Sequence, residues 1–540
     1  MPDSAVTAAP PATASQSSRA PAAIRAYGRL SNNAVFGCAA VFFLCLGLRA
    51  ALFPWMQVPK PYVHDEFSYL LAADTYASGR LANPPHPFWQ HFESFQILQQ
   101  PTYASKYPPM QGLVLAFGQK FFGQPWIGVW LATALMCGTI CWMLQGWISR
   151  EAALLGGVLV VLQVGVFHYW INSYWGGAVP GIGGALALGA LPRIARGRFS
   201  HAVTLGIGLA ILMNSRPYEA ALMGCLCAGL LVWWLARNKI SFRTVLRRVA
   251  LPLAAVLALT ACAMAFNNYK VTGNAFKLPY QVHDQQYAVA SMFAWSKLRA
   301  EPVYHHAIMR EFWAGVHVNQ VKVTTQDIVN SLFVKLWLTY DFFFGLWPLL
   351  VPLLIWPYAL KTTEERLTPV VLMVFVVAIF PLTGFMPHYA AAFAGMFYVR
   401  FMQGITHLVR WRPSGKAIGP VLAFFFLALF GYQFGTNFTN LLAHGPRTEP
   451  LPEERRAVVE QLAKQGGTHL VLVRYSSDHD PHQEWVYNRA DIDRAPIVWA
   501  REMGTEQDRS MIDYFHDRQI WLLEPDATPL KLAPYTIAAR

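Results

Sequence analysis

Residues Pro61–Leu81 read PYVHDEFSYLLAADTYASGRL. The stretch follows a long apolar segment and is itself far too polar and acidic to cross a bilayer. It therefore emerges at a membrane surface. His64, Asp65 and Glu66 open it, and Tyr69 follows one turn on. Ionisable groups gathered at such a surface, in a chain that is otherwise mostly apolar, point to chemistry at the membrane face. A structural reading competes with this one: Asp65 suits the cap of an amphipathic helix over Phe67–Ala77 lying flat on the membrane. Capping alone leaves His64 and Glu66 without a purpose.

The remainder of the chain supports the membrane setting. Of 540 residues, 54% are hydrophobic and 14% charged, against about 25% charged in a soluble domain. The apolar residues come in blocks long enough to span. A net charge of +13 raises the question of nucleic acid, but its placement answers it. Arg193, Arg196 and Arg198 fill one short gap, Lys239, Arg243, Arg247 and Arg248 another, and Arg410, Arg412 and Lys416 a third. Positive charge in alternate loops is the mark of the cytoplasmic side, and no nucleic-acid partner is expected. All seven cysteines lie in apolar segments, which argues against a disulfide framework or a thiolate metal site.

The expected fold class is a polytopic α-helical membrane protein with about eleven transmembrane helices. These fall near 33–53, 112–148, 152–170, 177–192, 200–214, 219–236, 249–268, 333–359, 367–386, 389–408 and 417–435. The second block is too long for one span and reads as a short juxtamembrane helix broken around Gly123 and Pro125, then a span over 126–147. The domains expected are a disordered cytoplasmic tail (1–30), a transmembrane body (31–435) and an external C-terminal domain (436–540). The body carries external loops at 54–111 and 269–332. In the C-terminal domain EERRAVVEQLAKQGG reads as a helix with a glycine stop, and THLVLVRY and QIWLLEP as strands, giving a small α/β unit. Its SDHDPH stretch (477–482) reads as a solvated loop with metal ligation as the minor alternative.

Five polar clusters fall on the external side. They are His64-Asp65-Glu66 with Tyr69; Tyr103, Lys106 and Tyr107 before Pro108-Pro109; Asn172, Tyr174 and Trp175; Arg216 with Glu219; and His388 with Tyr389. Arg216 and Glu219 stand three apart and can pair as a structural staple. Alternatively Pro217 starts a helix there and leaves Arg216 at its N-terminus, suited to phosphate. His388 is either a phosphate ligand or base, or a structural histidine. The aromatic residues suit sugar stacking or an interface belt. Loop 269–332, with KLPYQVHDQQYA, EPVYHH and REFW, is long enough to cover a site.

HDEFSY after one long helix, then KYPP, then many spans and an external tail, resemble the GT-C class of membrane glycosyltransferases. The likeness covers about residues 33–435. It is nearest in character to the protein O-mannosyltransferase and lipid A aminoarabinose transferase branch, and no WWDYG-type signature of oligosaccharyltransferases occurs. The resemblance implies a GT-C fold with periplasmic juxtamembrane helices and a polyprenyl-phosphate sugar as donor; the adjacency of Asp65 and Glu66, which puts them on different helix faces, favours a single, inverting displacement. The acceptor would be a glycolipid, polysaccharide or protein at the external face of a bacterial inner membrane, with other membrane lipids as partners. It implies Asp65 as the catalytic acid/base with Glu66 beside it. Lys106 would contact the donor phosphate; the residue types themselves, rather than the resemblance, add Arg216 and His388 as further phosphate ligands. From the polar clusters, His64, Tyr69, Tyr103, Tyr107, Asn172, Tyr174, Trp175, Glu219 and Tyr389 are expected to line the pocket. Asp65 and Glu66 are also of the type that holds a divalent cation; the residues leave that cofactor open, while the branch resembled is thought to work without one. The rival reading is a transporter or flippase of lipid-linked sugars. That would call for matching halves with interrupted helices and polar groups at mid-membrane, and no internal repeat is visible.

Overall fold

The computed structural model describes residues 22–316, 318, 325–355, 360–446 and 450–535. Of the expected tail, residues 1–21 lie outside this set, and Ala22–Asn32 form helix α1. The helices that follow are α2 (Ala34–Ala51), α3 (His64–Ala77), α4 (Pro109–Phe122), α5 (Pro125–Trp147), α6 (Arg150–Gln163), α7 (Ala178–Ala195), α8 (His201–Met213), α9 (Pro217–Arg237) and α10 (Phe242–Thr272). After these come α11 (Pro279–Tyr287), α12 (Thr325–Phe343), α13 (Thr363–Ile379), α14 (Ala394–Arg410), α15 (Ile418–His444), α16 (Pro450–Gln465) and α17 (Thr505–Tyr514).

Among the described residues, six helices (α2, α5, α7, α9, α10 and α15) are long and apolar enough to cross a membrane. The segment from Asp327 through Leu354 makes a seventh if its two helices, bent by 101°, are counted as one span. The chain is thus a multi-pass membrane protein. Helices occupy the other expected stretches too, but α6, α8, α13 and α14 have only 14, 13, 17 and 17 residues.

The shortening has local causes that matter for the site. Helix α6 stops at Gln163, and the amide of Asn172 bonds the carbonyls of Val166 and His168 in place of further helical turns. Before α14, Pro387–Phe393 wind as a tighter 3₁₀ helix. Irregular backbone is tolerated at such depth only where protein buries it. Here both irregular segments meet at one end of the bundle. As expected, the juxtamembrane helix α4 ends at Gly123, whose φ of 71° is the left-handed value that favours glycine, and α5 begins at Pro125.

Helix α7 is the centre of the bundle, with 89% of its span buried. Its small residues allow close approach: a Cβ on Gly184 would stand 1.9 Å from the Ala392 carbonyl oxygen. Outside the bundle, β1 (Ile97–Leu98) and β2 (Ala104–Ser105) form a short antiparallel ribbon. The C-terminal region builds a four-stranded sheet from β3 (His469–Val473), β4 (Ile497–Arg501), β5 (Gln519–Glu524) and β6 (Lys531–Pro534) in the order β4-β3-β5-β6. The β3–β4 and β3–β5 pairs are parallel and β5–β6 is antiparallel.

The C-terminal region shares a hydrophobic core with the 54–111 segment: Phe67, Leu71, Phe92, Ile97 and Tyr103 pack with Leu470 and Leu472 of the sheet and with Tyr487 beside it. Helix α3 is therefore clamped between the bundle and the C-terminal sheet.

Candidate functional site

The backbone of Tyr62 and Val63 enters α3 extended, and the carboxylate of Glu66 reaches back to accept from both amides at 2.9 and 3.1 Å. Its other oxygen accepts from the amide of Tyr174 at 2.9 Å. Glu66, not Asp65, thus secures the helix start. It is fully buried, and burial pushes it up to about 7 against these three donors. This weighs against the expectation of a reacting Glu66, since both of its oxygens are engaged by backbone amides.

Asp65 turns elsewhere. It is half-buried, and its Oδ1 accepts a short hydrogen bond from the Tyr107 hydroxyl. Among the described residues its second oxygen has no hydrogen bond. The β1–β2 ribbon brings Tyr107 there. The Ser68 hydroxyl on α3 donates to the Gln96 carbonyl (2.6 Å) and meets the Ser105 hydroxyl at 2.7 Å. Ser105 Oγ in turn accepts from the amide of Tyr107. Tyr69, one turn along α3, stacks on Tyr107 with ring centres 4.5 Å apart.

Lys106 sits over the rings of Tyr107 and Trp313 at 5.5 and 5.3 Å. Burial pushes its ammonium down, and the charges of Asp284 and Asp65 push back. For Asp284 the balance is reversed. Burial raises it, but the hydrogen bond from His283 and the charges of Lys106, His283 and Arg299 together bring it below the usual range. Asp284 and Trp313 lie in the segment 269–332, and the sequence reading does not single them out. Asp284 is the lone acid in a polar nine-residue helix, α11, and nothing local distinguishes it from a solvated face.

The cationic side of the site comes from α9 and the 3₁₀ turn before α14. Arg216 caps α9 with Pro217 at its first position, and its guanidinium lies 4.5 Å over the Tyr389 ring. Glu219 stands 3.9 Å away, a loose pair at the edge of ion-pair range. Arg216 acts electrostatically on Tyr69, Tyr169, His388 and Tyr389, and Asp65 acts on Tyr69 and Tyr389. The buried His388 pairs through Nδ1 with the Tyr169 hydroxyl at 2.9 Å and meets Trp175 edge-on at 4.7 Å. The main chain helps hold this end together, since the Met110 amide donates to the Asn214 carbonyl at 3.0 Å.

Asp65, Tyr69, Lys106, Tyr107, Trp175, Arg216, Glu219, His388 and Tyr389 are therefore brought together at one end of the bundle. Four expected pocket residues are not. His64 turns to the C-terminal region, its Nδ1 2.7 Å from the hydroxyl of Tyr487 in the connection between β3 and β4, and burial with the charges of His482 and Arg501 pushes it down to about 3. Tyr103 is buried and donates to the Asn488 carbonyl. Asn172 accepts from Arg49 Nε while its amide holds the irregular loop. Tyr174 donates to the Pro59 carbonyl.

The described residues contain no group of three or more His, Cys, Asp and Glu arranged to hold a metal ion. With Glu66 spent on backbone donors, the Asp65-Glu66 pair does not offer two free carboxylates to a cation. In the SDHDPH stretch, His479 pairs with Asp526 at 2.6 Å and with the Gln483 carbonyl.

No protein-family profile and no curated protein matches the chain. Among solved structures it is similar to the apo oligosaccharyltransferase of Archaeoglobus fulgidus, at 12% identity over 91% of this chain and 69% of that one, with a TM-score of 0.51. It is similar to ArnT from Cupriavidus metallidurans in the apo state, at 11% identity over 93% of both chains and a TM-score of 0.51. The undecaprenyl phosphate-bound form of ArnT gives 13% identity over 96% of both chains, again with a TM-score of 0.51. At these identities the likeness is one of fold, and it bears out the fold expected from HDEFSY and KYPP: the chain has the GT-C fold of these two membrane transferases.

Proposed function

We propose that the protein is an inverting glycosyltransferase that moves a sugar from a polyprenyl-phosphate donor to an acceptor hydroxyl at the external face of a bacterial inner membrane. One observation carries the reading: a half-buried carboxylate, Asp65, is oriented by Tyr107 with one oxygen left over, beside Lys106 and at the same end of the bundle as Arg216. The fold shared with an undecaprenyl phosphate-binding transferase supports it.

In this mechanism the free oxygen of Asp65 takes the proton from the acceptor hydroxyl. The acceptor oxygen bonds to the anomeric carbon as the bond from that carbon to the phosphate oxygen breaks. The phosphate leaves with the electron pair, and Lys106 and Arg216 stabilise its growing charge, with His388 beside them. A double displacement needs a second carboxylate as nucleophile or acid/base. The engagement of Glu66 with three amides favours a single displacement with inversion. The donor sugar and the acceptor class, whether glycolipid, polysaccharide or protein, follow from no contact described above. Purified protein incubated with radiolabelled polyprenyl-phosphate sugars and a membrane extract tests the proposal. Label should move to a new product with the wild type and not with Asp65→Asn. Equal transfer by both removes Asp65 as the base, and lipid flipping without product favours a transporter.

A further inference from the structure

The helix ends remote from Asp65 hold a second feature. A cavity of about 870 Å³ opens between α2, α5, α7 and α8, lined among others by Val35, Phe43, Leu135 and Trp142. Val35 stands in the first turn of α2 and Trp142 toward the end of α5, while Phe43 and Leu135 lie near the middles of those two helices, so the slot runs inward from these ends. The residues around Asp65 and Arg216 meet the bundle at the other ends of the same helices. At about 1.5 Å per residue, the 18 residues of α7 set the two regions roughly 27 Å apart. The cavity therefore belongs to the opposite membrane face.

Its chemistry is divided. Val35, Phe43 and Leu135 on the walls are 72%, 66% and 48% exposed, so the slot is open sideways to the membrane interior. At the mouth stand Arg150, Arg196 and Arg198, all exposed. Beneath them Arg193 is stacked 3.9 Å over Trp142 and donates to the carbonyls of Gly189 and Trp142. Arg196 pairs with Glu364 at 2.6 Å. Among the described residues, Arg150, Arg193 and Arg198 have no carboxylate partner. A cationic rim with a carboxylate partner only at Arg196 among the described residues, above an apolar slot, is complementary to a molecule with an anionic head and a hydrocarbon tail. Basic pockets between membrane helices hold phospholipid head groups in this way, and the volume lies within the range of sites that enclose ligands. A soluble anion has no use for the apolar walls, and a neutral hydrophobe none for the arginines.

We propose that this groove binds an anionic glycerophospholipid of the leaflet at this end. Its phosphate would lie at Arg150 and Arg198 and an acyl chain along Val35, Phe43 and Leu135. The site is independent of the transferase reading. The test is native mass spectrometry of the full-length protein in detergent with equimolar dioleoylphosphatidylglycerol and dioleoylphosphatidylcholine. The anionic lipid should be retained at least tenfold over the zwitterionic one, and the preference should fade as salt is raised. The R150Q/R198Q pair should lose about tenfold in retention of the anionic lipid, and Ala39→Trp, which fills the slot, should lose retention while leaving the rim intact. Equal retention of the two lipids by the wild type overturns the proposal. So does unchanged retention in both variants, or displacement of the phospholipid by undecaprenyl phosphate at lower concentration.

Discussion

Tyr107→Phe isolates the contact on which the proposed mechanism turns. The substitution keeps the ring that stacks 4.5 Å from Tyr69 and removes only the hydroxyl that donates to Asp65 Oδ1. A hydrogen bond to a charged group contributes about 1.5–3 kcal/mol, which corresponds to roughly a ten- to 150-fold loss of rate. The bond orients the base rather than holding the donor, so the loss should fall on kcat and leave KM nearly unchanged. Asp65→Asn alone should cost about 10²–10⁴-fold. In that background Tyr107→Phe should cost less than about threefold more, because no carboxylate is left to orient. Single-turnover transfer from a radiolabelled polyprenyl-phosphate sugar reads all four corners of the cycle, with unfolding midpoints confirming that each variant is intact. If Tyr107→Phe costs the same factor with and without Asp65, the tyrosine acts on the substrate directly and the pairing has no catalytic meaning.

Lys106→Met should raise the donor KM at least tenfold by removing a charge-assisted phosphate contact. Arg216→Lys should have a smaller effect, since charge is kept and only the fork is lost; steady-state kinetics against donor concentration separate the two. Glu66 gives a pH signature. Its folded value of about 7 lies above the 4.5 of a free glutamate, so between these the folded protein keeps a proton that the unfolded chain has released. Stability from this group is fully present below about pH 4.5 and falls by about 3 kcal/mol as the pH rises through 7. Denaturation curves of wild type and Glu66→Gln between pH 4.5 and 8 should differ by a pH-dependent amount of this sign, and a constant difference would contradict it. Arg501→Met should leave Glu484 as an unpaired buried charge and release the Glu93 carbonyl, at a cost of about 3–5 kcal/mol. Faster proteolysis within loop 54–111 should accompany the loss.

The features legible in the sequence were those that contrast with their surroundings. Charge in an apolar chain is visible without folding it, which is why Asp65, Lys106 and Arg216 stood out and why the break at Gly123–Pro125 was placed correctly. Roles assigned by distant partners were not visible. Glu66 meets an amide 108 positions away, and Tyr103 a carbonyl 385 positions away. Both are ordinary pocket candidates until those partners are known. Asp284 was missed for the opposite reason: it joins Lys106 only when the long segment 269–332 folds its helix α11 against β1, and its own neighbours are as polar as it is. Helix lengths were overestimated where irregular segments are themselves apolar, as in 164–171, since hydropathy does not register the loss of backbone regularity.

The triplet His64-Asp65-Glu66 acquires a single explanation from helix geometry. Successive residues on an α-helix point about 100° apart, so three neighbours cannot serve one pocket. His64 is taken by Tyr487 in the connection between β3 and β4, Glu66 by the Tyr174 amide of the bundle, and Asp65 alone faces Tyr107 and Lys106. The outer two hold α3 against its two neighbours and thereby fix the direction of the middle one. The exchange Asp65→Glu with Glu66→Asp tests this division. It conserves composition and charge, but shortens the buried anchor by one carbon bond, about 1.5 Å, enough to lift its carboxylate off amides now met at 2.9–3.1 Å. Both stability and transfer should fall, and restoring Glu66 alone should recover stability while leaving transfer impaired. An exchanged protein that stays stable and active would mean that the two carboxylates are interchangeable, and the assignment of one to chemistry and one to structure would not stand.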